Sequence, residues 1–259
     1  MEVTTRPVRG GMFNVEVLRG GSGSPVLFLH GAMGLNWDGF LDQLATRHTV
    51  VAPFIPGYGG TSGDEHLLDF HDLITFFLDF LDAEGLRNLP IIGHSIGGMI
   101  AAELAAVQPD RFTKLVLIAP TGLWDPANPV LDFFVASPTD LAQALYYDQD
   151  SEPAKRAAYT PEDAEGRVAV ALERVKSLRV AAKYLWPIPN RGLNKRIHRI
   201  SAPTLIVWGA NDLLNPPFYA QAFSAKIPGS RVQLIPNAAH QVQEERPRAV
   251  AEAVLPFIA

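Results

Sequence analysis

One serine lies between two glycines where a short apolar run meets a stretch rich in alanine and leucine. The run 89–92 ends just before Gly93, and Ser95 is followed by Gly97 and a helical pattern. A strand that ends at Gly93 and a helix that starts near Ile96 force a very tight turn, and the two glycines let these elements approach without a Cβ collision. The pattern therefore predicts a strand–turn–helix with the Ser95 hydroxyl exposed on a strained backbone.

Short apolar runs, rich in leucine and β-branched residues, recur along the chain and are mostly bounded by Gly, Pro or Asn. They are residues 25–29, 49–52, 89–92, 115–119, 204–208 and 232–235. Helical patterns separate several of them, the clearest at 3.6-residue spacing over 70–81 with Asp69 as an N-cap. Strands alternating with helices predict an α/β fold with a parallel sheet covered on both faces. The weak alternation of Phe13, Val15 and Val17 predicts an additional antiparallel edge strand.

Composition limits both the class of protein and its partners. With 259 residues, 47% of them hydrophobic, the chain can bury one large core, and no repeat or low-complexity linker divides it. A net charge of −5 without a basic run argues against nucleic acid as a partner. The absence of cysteine excludes thiolate sites and fits a reducing compartment. Without an 18-residue apolar stretch, we expect a cytoplasmic protein that does not insert into a membrane; its oligomeric state is not indicated.

The middle of the chain, residues 121–199, departs from the alternation of strands and helices. It has the pattern of several helices broken at prolines, namely Pro126, Pro129, Pro138, Pro153, Pro161, Pro187 and Pro189. We therefore expect a core domain of residues 1–120 and 200–259 with a helical cap at 121–199. Aromatic residues of this segment, including Trp124, predict an apolar substrate pocket above Ser95.

Two downstream residues can serve as partners for the serine. A serine hydroxyl is a poor nucleophile at neutral pH, so it needs a base and a carboxylate that orients the base. Asp212 follows the run 204–207, at the strand end where ligands gather in open α/β sheets. His240 comes 28 residues later, just after another apolar strand. These positions predict a catalytic triad of Ser95, Asp212 and His240.

At these positions the chain resembles the α/β-hydrolase superfamily, over most of its length outside the middle. The resemblance is carried by His30-Gly31, 56–62, 93–98, 209–212 and His240. It implies an eight-stranded, mostly parallel sheet, a cap inserted after the sixth strand, and the same triad. Some members take the acid from the strand that precedes Asp125, so Asp125 stays open as an alternative to Asp212. The resemblance also implies that His30 braces a loop and does not act as a base.

Attack of Ser95 on a carbonyl creates an oxyanion, which two N–H donors can stabilise. One predicted donor is the N–H of Ile96, directly after the serine and at a helix N-terminus. The second is expected from the loop after the strand 25–29, where the resemblance selects Ala32. Met33, in the same loop, is predicted to be a wall of the substrate pocket.

The leading expectation is hydrolysis of an ester or related acyl bond of a small, apolar substrate through an acyl-enzyme. One alternative is a carbon–carbon bond hydrolase of aromatic ring-cleavage products, whose motif has Asn before the serine and Trp after the histidine; His94 and Gln241 stand there. Perhydrolase or haloperoxidase-like activity would use the same triad. The other alternative is a small-molecule binder on a hydrolase fold.

No cofactor and no metal is expected. The glycine-rich segment 57–63 lacks the Gly-Lys-Ser/Thr ending of a phosphate-binding loop. The acids and histidines of 64–72 are typical of a solvated helix start, where carboxylates favour the helix dipole.

Overall fold

A computed structural model describes residues 1–186 and 191–259. Its strands are β1 (Glu2–Val8), β2 (Phe13–Gly20), β3 (Pro25–Leu29), β4 (Thr49–Pro53), β5 (Leu89–His94), β6 (Phe112–Ile118), β7 (Thr204–Gly209) and β8 (Arg231–Ile235). Its helices are α1 (Gly39–Ala45), α2 (Phe70–Ala83), α3 (Ile96–Val107), α4 (Pro138–Leu145), α5 (Glu152–Ala158), α6 (Ala164–Leu185), α7 (Phe218–Ser224), α8 (Val242–Glu245) and α9 (Pro247–Ile258).

All eight strands form one sheet in the order β1-β2-β4-β3-β5-β6-β7-β8. The strand β2 is antiparallel to both of its neighbours, and every other pair is parallel. The predicted α/β fold with a mostly parallel, eight-stranded sheet is therefore confirmed. One detail was wrong: the antiparallel strand β2 is not at the edge, because β1 pairs with its outer side. Nearly all β1 side chains are exposed, so this edge strand has no hydrophobic pattern to reveal it.

Both faces of the sheet are covered by helices. Alternate residues of β3 enter two different hydrophobic clusters, Leu27 and Leu29 in one and Val26 and Phe28 in the other. The first cluster includes side chains of α2, α3 and α7, and the second includes side chains of α1 and α9. A strand buried on both sides needs apolar residues at consecutive positions, which explains the continuous apolar runs of the sequence.

The helix predicted over 70–81 is present as α2. Its N-cap is Asp69, whose carboxylate accepts the backbone N–H of Asp72 at 3.0 Å. The helix packs an apolar face against the sheet, and this face includes Leu73, Phe77 and Leu81. The 3.6-residue spacing therefore predicted correctly that these residues are buried.

The chain between β6 and β7, residues 119–203, is here called the inserted segment. Within its described part it contains α4, α5 and α6. Two of its prolines, Pro138 and Pro153, lie in the first turns of α4 and α5, so they begin these helices as well as break the preceding structure. Pro187 and Pro189 lie outside the described residues. Among the helices in 1–186 and 191–259, none combines the length and apolar character needed to cross a membrane.

Candidate active site

Ser95 occupies the one-residue turn between β5 and α3, with φ 55° and ψ −119°. Its backbone N–H donates to Ile118 O at 3.0 Å. Its carbonyl accepts from the N–H groups of Met99 and Thr121, both at 3.1 Å. A side-chain-bearing residue persists at such a φ only where the surroundings enforce it, and these three hydrogen bonds do so.

The glycines beside Ser95 are required by the close packing of the turn. A Cβ at Gly93 would lie 2.3 Å from the carbonyl oxygen of Gly97. A Cβ at Gly97 would lie 2.2 Å from the carbonyl oxygen of Leu29 on β3. The close approach that the sequence predicts for these two glycines is therefore present.

Ser95, His240 and Asp212 form a continuous chain of hydrogen bonds. The distance from His240 Nε2 to Ser95 Oγ is 2.9 Å, and His240 Nδ1 lies 2.9 Å from Asp212 Oδ2. The carboxylate can only accept here, so Nδ1 carries the proton and Nε2 accepts from the serine hydroxyl. All three side chains are buried. This arrangement can take a proton from Ser95 while Asp212 stabilises the resulting imidazolium.

The carboxylate of Asp212 is held in place by its own loop. Its Oδ1 accepts the backbone N–H groups of Leu214 and Asn215, both at 2.9 Å, which leaves Oδ2 for His240. Asp125, the alternative acid, makes its side-chain hydrogen bond within its own turn. The structure thus pairs His240 with Asp212.

The loop that carries His240 is anchored by a buried carboxylate that sequence reasoning missed. Glu245 Oε2 accepts the N–H of Ala239 at 2.7 Å. Glu245 Oε1 accepts the N–H groups of Tyr147 and Asp148, at 2.8 and 3.1 Å, in the inserted segment. One carboxylate therefore joins the histidine loop to the inserted segment. Its partners are backbone groups of separate segments, so no local signal in the sequence marked Glu245.

The loop after β3, which holds Ala32, is braced by His30. The ring donates from Nδ1 to Gly31 O at 2.8 Å and accepts the N–H of Ile55 at Nε2 at 3.0 Å. Burial lowers the pKa of His30 to about 4, so the ring is neutral at physiological pH. The Gly31 carbonyl and the Ala32 N–H belong to one peptide unit. The ring therefore fixes the direction of the Ala32 N–H.

Tyr58 gives the same loop a second support. Its hydroxyl lies 3.1 Å from Ala32 O and 3.0 Å from Ser177 O on α6, and its ring packs edge-on against His30. The tyrosine belongs to the motif 56–62, to which sequence reasoning assigned no individual role. It links the Ala32 loop to the inserted segment.

The two predicted oxyanion donors, the N–H groups of Ala32 and Ile96, belong to segments that adjoin Ser95. Ala32 lines the same small space as Ser95. Ile96 is the first residue of α3, and N–H groups in the first turn of a helix have no acceptor within the helix. Both N–H groups therefore remain candidates, and their use as an oxyanion hole stays a prediction.

The free volume beside Ser95 is small. The space that Ser95 and His240 line, here called the Ser95 space, measures about 20 Å³ and is walled by Met33, Phe133 and Leu141 among others. A neighbouring apolar pocket of about 30 Å³ is also lined by Phe133. Each volume holds about one water molecule. Met33 is among the residues that line the Ser95 space, and its role as a wall of a substrate pocket stays a prediction.

Trp124 is not brought to the Ser95 space. It lines another cavity, of about 190 Å³, together with Asp125 and Phe218. Its neighbour Leu123 lines both this cavity and the apolar pocket. The geometry therefore gives no support to the prediction of Trp124 as a wall of the substrate pocket.

His94, next to the serine, is a neutral packing neighbour. It is buried, and its Nε2–H donates to the backbone oxygen of His240 at 3.0 Å. Burial, with a smaller effect of the His240 ring, lowers the pKa of His94 to about 3. A ring with this pKa does not act as a second base at neutral pH.

We expect His94 to make the protein sensitive to acid. The unfolded chain protonates this residue below pH 6.5, whereas the folded protein does not, so the free energy of unfolding falls as pH drops from 6.5 towards about 3. Between pH 6 and 5, wild type should lose about 1 kcal/mol more than His94→Asn, measured by urea unfolding. The difference isolates His94 because both proteins share all other titrating groups. Equal losses would contradict the assignment.

Comparisons with known proteins agree with this architecture. A sequence model described as the alpha/beta hydrolase family matches residues 26–253. A dihydrolipoyllysine-residue acetyltransferase component of an acetoin cleaving system, from Cupriavidus necator, is 29% identical over 88% of this chain, which spans only 62% of that relative's length. A 2-hydroxy-6-oxo-6-(2'-aminophenyl)hexa-2,4-dienoic acid hydrolase from Metapseudomonas resinovorans is 26% identical over 98% of this chain and 90% of its own.

Solved structures give the same result. The crystal structure of a membrane phospholipase A, described as a bacterial virulence factor, superposes with a TM-score of 0.81 at 26% sequence identity. The superposition covers 99% of this chain and 85% of the phospholipase. The family match spans most of the sheet and both loops that carry Asp212 and His240. The chain therefore belongs to the alpha/beta hydrolase family.

Proposed function

We propose that the protein is a serine hydrolase that cleaves an ester or related acyl bond of a small substrate with an apolar acyl group. The observation that carries the proposal is the buried chain of 2.9 Å hydrogen bonds from Ser95 through His240 to Asp212. Ser95 Oγ attacks the carbonyl carbon while His240 takes its proton and passes it to the leaving alcohol. Water, deprotonated by the same imidazole, then releases the acid from the acyl-enzyme.

The remaining parts of the site fit this reaction. The N–H groups of Ala32 and Ile96 would stabilise the oxyanion, the second aided by the dipole of α3. Residues 121–199 would act as the cap, because Phe133, within this range, already lines the Ser95 space. The likeness to the phospholipase supports an acyl ester as substrate.

A second candidate is a carbon–carbon bond hydrolase of ring-cleavage products. The relative from Metapseudomonas resinovorans favours it, because that likeness covers 98% of this chain. Two residues next to the triad argue against it: His94 stands where that group's motif has Asn, and Gln241 stands where it has Trp. The two candidates share the same serine and histidine, so a substrate comparison must separate them.

The nucleophile is tested by covalent labelling. A fluorophosphonate probe should label wild type at Ser95, because only a serine activated by a base reacts readily. Ser95→Ala should lose the label, while Ser201→Ala, which removes an exposed serine, should keep it. The modified peptide is identified by mass spectrometry. An unlabelled wild type, or a label that survives in Ser95→Ala, would count against a serine hydrolase and in favour of a binder.

The reaction type is tested with a substrate panel. The panel holds p-nitrophenyl esters of graded chain length and a ring-cleavage dienoate, each assayed with wild type and Ser95→Ala. We expect wild type to hydrolyse the esters and Ser95→Ala to show no turnover. Turnover of the dienoate alone would favour the second candidate, and a preference for short, charged esters would overturn the apolar acyl group.

A further inference from the structure

The histidine loop, residues 236–241, is bonded to the inserted segment through its own backbone. The N–H of Gln241 donates to Leu145 O at 2.9 Å, and the N–H of His240 donates to Ala144 O at 3.4 Å. Both acceptors lie in the last turn of α4, where carbonyl groups have no donor within the helix. The end of α4 therefore uses its free carbonyls to hold the histidine loop.

Glu245 ties the same two segments together from its place on α8. Its oxygens accept three backbone N–H groups, one from Ala239 beside His240 and two from Tyr147 and Asp148, just after α4. The side chain is only 7% exposed, and a buried carboxylate is tolerated where hydrogen bonds satisfy it. Because its donors come from two segments, Glu245 fixes the distance between the histidine loop and the end of α4.

The backbone of His240 is held on both sides. Its N–H bonds to Ala144, as above, and its carbonyl accepts from Nε2 of His94 at 3.0 Å. The loop of the triad acid is attached too, because the N–H of Asn211 donates to Ala238 O at 2.9 Å. The imidazole must keep two hydrogen bonds of 2.9 Å at once, and it has only two side-chain torsions with which to do so. A displacement of the loop therefore misaligns the base.

Helix α4 also contributes to the walls of the site. Leu141 and Leu145 of this helix line the Ser95 space. Glu245 is not among the described residues that line it. The helix that walls the space thus also bonds to the loop of the base, and Glu245 acts on this loop from outside the space.

We propose that Glu245 is a positioning residue for His240. Its carboxylate holds the histidine loop against the end of α4, so the base is aligned with Ser95 only while this part of the inserted segment is seated on the core. The proposal rests on the proposed function, because His240 is the base of the acyl transfer.

The test replaces Glu245 by glutamine. The amide has one acceptor oxygen, so its NH₂ group must face either the N–H of Ala239 or those of Tyr147 and Asp148. Donors that face each other open one side of the contact and release the loop. We expect kcat for p-nitrophenyl butyrate to fall about 10- to 100-fold, with KM within a factor of about 3, because a small misplacement of the base is costly. The reaction with the fluorophosphonate should slow by a similar factor.

A spectroscopic signature separates positioning of the base from a general structural role. The His240 Nδ1–H donates to the Asp212 carboxylate, and such a proton resonates far downfield in the NMR spectrum. His240→Ala assigns the resonance by its absence. In Glu245→Gln we expect the resonance to move upfield, because the hydrogen bond to Asp212 is no longer held at its wild-type length.

Glu244→Gln is the matched control, because it makes the same change on the adjacent residue. The Glu244 carboxylate also joins α8 to the inserted segment, through Arg156 at 3.3 Å, but this partner is a side chain of α5. We expect kcat within a factor of about 3 of wild type and an unchanged downfield resonance. Thermal unfolding verifies that both variants are folded.

A second pair of variants changes the contact from the inserted segment. Tyr147→Pro removes one N–H that Glu245 accepts, and Tyr146 before it already has φ −129° and ψ 132°, which suit a residue before proline. Tyr147→Ala keeps this N–H and removes the same exposed ring. We expect kcat of the proline variant to be about 3- to 10-fold below that of the alanine variant, since the other two N–H groups remain.

The outcomes separate this proposal from the proposed function. A folded Glu245→Gln protein with wild-type kcat, or one in which only KM rises, would overturn the positioning role and leave the serine hydrolase intact. If Glu245→Gln does not fold, equal kcat values for Tyr147→Pro and Tyr147→Ala would overturn it. A wild type that neither reacts with the fluorophosphonate nor hydrolyses the ester would instead remove the proposed function.

Discussion

Replacing His240 by alanine is expected to lower kcat for p-nitrophenyl butyrate by about 10⁴- to 10⁶-fold. The imidazole is the only base within hydrogen-bond distance of Ser95 Oγ in the described structure, at 2.9 Å. Without it the hydroxyl keeps its proton, and no group protonates the leaving alcohol. The KM should change little, because the side chain contributes mainly to the transition state. Steady-state kinetics at pH 7.5 measure both constants.

The matched control for this variant is His198→Ala. Besides His240, the one histidine after Ser95 in the sequence is His198, which lies outside the site and is exposed. Its replacement should leave kcat within a factor of about 2, as is usual for a surface change far from the chemistry. Thermal unfolding separates a catalytic loss from a folding defect. A His240→Ala protein that is folded and keeps a tenth or more of wild-type kcat would show that another group acts as the base.

The sheet could be predicted from the sequence because the apolar pattern of each buried strand lies within its own short segment. Strands that are buried on both faces need runs such as 89–92 and 204–207, and each run marks its strand directly. The strand β1 lies at the sheet edge with almost all its side chains exposed, so its residues need no apolar pattern. Its position depends on pairing with β2, which a single segment of sequence does not encode.

The same distinction separates the predicted from the missed residues of the site. Ser95, Asp212 and His240 each directly follow or lie close behind a strand, so position along the chain placed them at one edge of the sheet. Glu245 and Tyr58 act through hydrogen bonds to backbone groups 98 and 119 positions away. Those partners are set by how the inserted segment packs on the core, which spacing and composition do not report.

The pocket residues show where sequence reasoning ends. Met33 lies on a loop directly tied to β3, and it lines the Ser95 space. Trp124 belongs to the segment that leaves β6, and it lines a different cavity. Aromatic content predicted an apolar pocket, but it could not select which ring reaches it.

Replacing Asp212 by asparagine is expected to lower kcat by about 10⁴-fold while the fold stays intact. Oδ1 of the new amide can keep the two N–H bonds from Leu214 and Asn215, both 2.9 Å in wild type. The amide nitrogen then faces His240 Nδ1 and donates to it, which favours the tautomer with the proton on Nε2. In that tautomer Nε2 has no lone pair for the Ser95 proton, so the base is lost although every side chain remains in place.

Asp125→Asn is the matched control, since it makes the same change at the alternative acid. Its carboxylate accepts a hydrogen bond only within its own turn among the described residues, so kcat should change by no more than a factor of about 3. Both variants are measured with p-nitrophenyl butyrate beside wild type. Their rates of reaction with the fluorophosphonate should follow the same order, with Asp212→Asn slower than wild type and Asp125→Asn about equal to it. A larger loss in Asp125→Asn than in Asp212→Asn would transfer the role of the acid to Asp125, because only the residue that orients His240 controls which ring nitrogen carries the proton.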